Sequence, residues 1–174
     1  MPPVKSGIIV LSLFAAAWCA AGLSAIGAPP AAAAVPAAVA LLLVYVAARL
    51  LKDFQQDPEE KRRSSRLVGL WTAVELAAMA AAAVVLINRH ELDLLVPVGA
   101  AIVGLHFLPL AAGMPRLSYW FTGVGLILAA AAGVVLPAGT GVPAVCFAAS
   151  GILTLTALHL IGEARRRAAQ PRPA

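Results

Sequence analysis

An all-α, polytopic membrane bundle of six transmembrane helices in a single domain is predicted by three features of this 174-residue chain. Hydrophobic residues make up 61% of it and charged residues 12%, with a mean hydropathy of +0.91. A soluble domain carries about a quarter charged residues, so too little polar surface is present to wrap a water-soluble core. The apolar residues fall into runs near the ~20 residues that cross a ~30 Å hydrocarbon layer as a helix. Finally, the basic residues sort to one side of those runs.

The first run covers 7–27, GIIVLSLFAAAWCAAGLSAIG. It is too long for a signal peptide, and Lys5 is the only charge before it. The second, 31–51, opens after a proline pair and ends on Tyr45 and Arg49. The third, 67–87, follows the loop 52–66, KDFQQDPEEKRRSSR. In that loop Asp57 reads as an N-cap, Pro58 as the first helical residue, and Glu59 and Glu60 as acids on the positive end of the dipole. The third helix is therefore expected to begin before the membrane. The basic patch after it either grips anionic lipid heads or only sets topology.

The fourth run, 92–113, carries Pro97, His106 and Pro109. The fifth, 117–137, opens on Tyr119 and Trp120. The sixth, 141–162, ends beside His159, before a charged tail over 163–174. Strands are excluded by run length, Ala and Leu content and the lack of alternation. The even runs share a faint pattern starting at Pro36, Pro97 and Pro143, which suggests three stacked helical hairpins. Ala78 with Ala82 and Ala129 with Gly133 have the small-xxx-small spacing of close helix contacts.

With the N-terminus in the cytosol, twelve of the thirteen Lys and Arg fall inside and only Arg89 outside. That separation follows the positive-inside rule. It accounts for the +5 net charge without nucleic acid. Abundant Ala, and Arg in excess of Lys, suggest a GC-rich bacterial genome. The expected location is the bacterial cytoplasmic (inner) membrane, with both termini cytoplasmic. Cys19 and Cys146 lie in apolar runs and read as buried thiols, able to pair only if their spans pack together.

Few ionisable residues lie within the runs. Glu75 is nine residues beyond Arg66, about 13 Å along a helix, and His106 is ten residues before Arg116, about 15 Å. The two runs are antiparallel neighbours through the short turn 88–91, so both side chains sit at similar depth. A charge there costs at least about 2.5–3.5 kcal/mol. Facing each other, carboxyl and imidazole would share a proton across a hydrogen bond and form a proton-responsive pair. Pro109 lacks an N–H, which frees the Leu105 carbonyl beside His106, while Gly104 allows a backbone or ligand to approach. Interrupted helices of this kind line binding sites in transporters. Trp71 lies one turn from Glu75 on the same face. Tyr45 and His159, at the same end of their runs, would join a vestibule if they turned inward. Otherwise Tyr45 is an interfacial anchor and His159 a surface partner of Glu163.

The element Gly104-Leu105-His106-Phe107-Leu108-Pro109 resembles a Gly-x-His-Phe-x-Pro element in the fourth span of some small uncharacterised bacterial six-span membrane proteins. These form a domain-of-unknown-function group. The resemblance implies the fold and gives weight to His106 and Pro109, but implies no activity.

No catalytic residue, cofactor or metal site is assigned. His90, Glu91 and Asp93 lack the second histidine of a zinc-protease motif. The leading expectation is binding or transport of a small molecule or proton between spans three and four, with Glu75, His106, Trp71, Leu105, Pro109, Tyr45 and His159 as candidate residues. A non-catalytic accessory, partner-binding or lipid-sensing module is the alternative. An intramembrane enzyme on a lipid or isoprenoid substrate, with Glu75 as its acid, is the third. Expected partners are membrane lipids, a small-molecule ligand, and a homo-oligomer or larger membrane complex.

Overall fold

Lipid offers exposed backbone groups no water, so each crossing must close its own hydrogen bonds as a helix. The computed structural model describes residues 3–52, 58–114, 116–137 and 139–169. Its helices are α1 (Pro3–Ala25), α2 (Ala34–Leu50), α3 (Pro58–Asn88), α4 (Leu95–Gly113), α5 (Leu117–Val135) and α6 (Gly141–Ala169). Short 3-10 turns, Pro30–Ala33 and Leu92–Leu94, lead into α2 and α4. All six are long and apolar enough to cross a bilayer, and the described residues contain no strand. The chain is a multi-pass membrane protein.

Two helices outgrow their apolar runs. α3 starts at Pro58 and has 31 residues, about 46 Å, so its first turns project beyond the hydrocarbon. This agrees with the expected helix start, although Asp57 lies outside the described residues. α6 has 29 residues and carries Glu163 and Arg165 to Arg167, expected in a tail, as further helical turns. Ala, Glu and Arg are all strong helix formers, and nothing in that stretch breaks the helix. Arg172 lies outside the described residues.

The bundle is built around α6, which packs against α1, α5, α4 and α2. The closest pairings are α4 with α5 and α1 with α6. α2 lies outside against α1 and α6, and α3 lies outside mainly against α4. The three hairpins α1–α2, α5–α6 and α3–α4 thus lie side by side with α5–α6 in the middle. A buried cluster including Ile8, Leu11, Leu51, Phe107, Leu126 and Leu153 joins five of the helices, and α3 contributes nothing to it. α1 and α6 do pack together, yet Cys19 and Cys146 are both free thiols.

Close approach rests on small residues. A Cβ added at Gly104 would lie 2.8 Å from the Gly123 carbonyl oxygen, and one at Gly123 would lie 2.9 Å from that of Gly104. The space at Gly104 is therefore filled by the α5 backbone. α5 and α6 likewise meet backbone to backbone at Gly133 and Gly141. Between the same helices, the Thr122 and Thr156 hydroxyls hydrogen bond at 2.6 Å. Each hydroxyl also lies 2.8 Å from a carbonyl one turn earlier, that of Ser118 or Ile152; with one proton apiece, one threonine donates to the other while the second donates to its own helix carbonyl.

The basic helix ends share one face. Lys5 Nζ donates to the Lys52 carbonyl at 3.4 Å, and Arg116 lies 3.7 Å from Glu163. On the opposite face the turns are tight: Gly27 and Gly139 adopt φ of 72° and 85°, and His90 takes φ 59°. Gly tolerates that region freely, while His90 is an exception among side-chain-bearing residues.

Gly104→Ala is expected to destabilise the bundle by about 1–3 kcal/mol through overpacking against α5. Gly7→Ala, with nothing within 4 Å of the new carbon, should not. Reversible unfolding of the two variants in mixed micelles checks this.

Candidate functional site

α3 buries one narrow stripe. Ser64, Leu67, Trp71, Thr72, Glu75, Ala78, Met79, Ala82, Ala83 and Leu86 are its less exposed positions, recurring every three to four residues along one side. Opposite them α4 offers small residues. A Cβ at Gly113 would lie 2.8 Å from Leu67, and a Cβ at Gly99 would lie 3.3 Å from Met79. The glycines make room for these two side chains, and the antiparallel register they set brings Glu75 to His106 between them. Trp71 falls level with Pro109 in that register. The interruption expected at Pro109 is not seen: α4 runs as one helix from Leu95 to Gly113 with Pro109 inside it, because the proline removes only the one hydrogen bond to Leu105.

His106 Nδ1 lies 3.2 Å from Glu75 Oε2, with side-chain exposures of 9% and 17%. The two helices thus place carboxyl and imidazole together at one depth. Their angle departs from the expectation of a shared hydrogen bond: Nδ1 is buried and has no aligned hydrogen-bond partner. The ring is held edge-on to Phe107, with centroids 5.6 Å apart and planes at 85°. Phe107 in turn packs on Tyr119 of α5 at 5.7 Å. The imidazole is therefore seated against the core while its nitrogen faces the peripheral helix. A buried polar nitrogen without a partner is uncommon. At 3.2 Å the gap between ring and carboxylate has room for a proton and for no heavier bridging atom.

The structure does not gather the remaining expected residues into a vestibule. Tyr45 is 56% exposed on α2, where its hydroxyl accepts from Arg49 Nε at 3.1 Å and the guanidinium lies 5.3 Å from its ring. α2 presents this pair away from the bundle, as an interfacial anchor. His159 pairs with Glu163 at 3.0 Å on its own helix and stays 48% exposed. Trp120 is also exposed. The Leu105 side chain is 57% exposed and points away from the seam, so only its carbonyl, left without the Pro109 N–H, remains relevant to a site.

Two groupings went unforeseen. Glu163 lies near Arg116 as well as His159, tying α6 to the segment before α5. The Thr122–Thr156 contact has a visible signal in Ser118 and Thr122, spaced i, i+4 on α5, but its partner on α6 needs the tertiary fold. Among the described residues no three His, Cys, Asp or Glu side chains converge as metal ligands would.

Comparison with known proteins finds no matching family model, curated protein or solved structure.

A double-mutant cycle with Glu75→Ala and His106→Ala is expected to give a coupling of about 0.5–2 kcal/mol in micellar unfolding. Strictly additive losses would mean that the 3.2 Å contact carries no energy.

Proposed function

We propose that this protein binds or carries a small solute or a proton at the seam between α3 and α4, with Glu75 and His106 as the proton-responsive pair. One observation carries the reading: a buried imidazole nitrogen stands beside a carboxylate without an aligned partner. An intramembrane ionisable residue marks a functional site by default, because its desolvation is tolerated only when compensated. Trp71 and Pro109 flank the pair, and the Leu105 carbonyl adds an acceptor.

α3 supports the same reading by its placement. It touches the bundle mainly through α4, so a change of charge at the pair acts on its principal seam. Neutralising either partner alters the attraction across that seam, giving proton binding a route to helix movement. The accessory-module alternative draws on the same helix, whose outer residues Leu70, Val74, Leu76 and Val84 are exposed and available to lipid or another chain.

Proton counting tests the pair. Across a pH series, the parent protein should take up more protons than Glu75→Gln/His106→Ala. Equal uptake would make the pair structural and leave the accessory reading standing.

We also place the protein in the bacterial inner membrane with both termini cytoplasmic, on the strength of the basic face. In a cysteine-free background, Ser65→Cys should react only from the cytoplasmic side and Asn88→Cys only from outside. Reversed labelling would invert the orientation.

A further inference from the structure

The strongest charged feature outside the α3–α4 pair is an open groove at the basic end of the same two helices. Glu59, Arg62, Arg63, Arg66, Leu67 and Gly113 line it. We infer that this groove holds the phosphate headgroup of an anionic phospholipid.

Four features point to that occupant. Three arginines against a single glutamate leave the groove net positive, and guanidinium forks match phosphate oxygens in a bidentate manner. Its depth is that of lipid heads: α3 begins outside the membrane, and Leu67, the first residue of its apolar run, follows directly after Arg66. From Arg66 the next turn of the helix carries Leu70, and both it and Val68 are exposed, so an acyl chain would find an apolar track continuing from the charged one. Gly113 closes α4 without a side chain, and a Cβ there would already lie 2.8 Å from Leu67. A soluble phosphate would satisfy the arginines but make no use of the apolar track. The inference does not depend on the activity of Glu75 and His106.

The test uses the full chain, stripped of lipid in detergent and examined by native mass spectrometry with added phosphatidylglycerol or phosphatidylcholine. The parent is expected to retain phosphatidylglycerol about tenfold better than phosphatidylcholine. Arg62→Gln/Arg63→Gln/Arg66→Gln should lose that preference. Arg165→Gln/Arg166→Gln/Arg167→Gln, with the same loss of charge on α6, should keep it. Arg62→Glu, a single substitution at an exposed position of the groove, reverses one charge there without touching the packing of Leu67 on Gly113, so it decides the matter even if the α3 triple variant fails to fold. It too should lose the preference, with parent-like helical circular dichroism. The inference is overturned by an absent preference in the parent, by a folded groove variant that keeps it, or by equal losses in the α3 and α6 variants. It is likewise overturned if inorganic phosphate at equal concentration displaces the lipid, since the site would then belong to a soluble anion.

Discussion

Lipid gives apolar helices little hydrophobic reason to associate, because acyl chains are as greasy as leucine. That constraint governs this bundle. What holds it are close approaches allowed by small residues and a few polar contacts. α4 and α5 meet at Gly104 and Gly123, α5 and α6 at Gly133 and Gly141, and the Thr122–Thr156 hydroxyls lie between α5 and α6. α3 has a thinner attachment. It joins the bundle along one stripe, with Leu67 over Gly113, Met79 over Gly99 and the Glu75–His106 contact between them.

This uneven attachment connects packing to the proposed function. The core around α6 is locked by backbone-to-backbone contacts that have no intermediate setting. The α3 seam instead depends partly on two groups whose attraction changes with protonation. His106 is fixed on its core side by the edge contact to Phe107, and Phe107 by Tyr119. Movement prompted by the pair would therefore fall on α3 and not on α4. The arginine groove lies on the same two helices, nearer the basic face, so a lipid head seated there would brace the seam from its end.

The fold was largely legible because span length and basic asymmetry are whole-chain signals. The start of α3 at Pro58 was written in Pro-Glu-Glu, whereas the extension of α6 was hidden by its charges, which read as a tail although Glu, Ala and Arg favour a helix. The depth of Glu75 and His106 followed from counting residues to Arg66 and Arg116, and a short turn made their helices neighbours. Rotation about the helix axis was harder. In water a helix shows which face is buried by its polar side, but here lipid-facing and core-facing positions are both apolar, so the exposure of Tyr45 and His159 was signalled only by local cues, the place of Tyr45 at a helix end and the i, i+4 spacing of His159 and Glu163. Gly104 carried the right meaning, a close approach, without revealing that its partner was the backbone of α5. The angle between the Glu75 carboxyl and the His106 ring lay beyond sequence altogether, since it depends on how Phe107 seats the imidazole.

The central claim is that the Glu75 carboxyl and the His106 ring respond to protons as one unit. Infrared difference spectroscopy of the full chain in lipid, recorded across a pH series, observes this directly through the carbonyl band of a protonated carboxyl. The account predicts a band that vanishes in Glu75→Gln and whose titration midpoint moves in His106→Ala. A Glu75 band that titrates identically with and without the imidazole would contradict it.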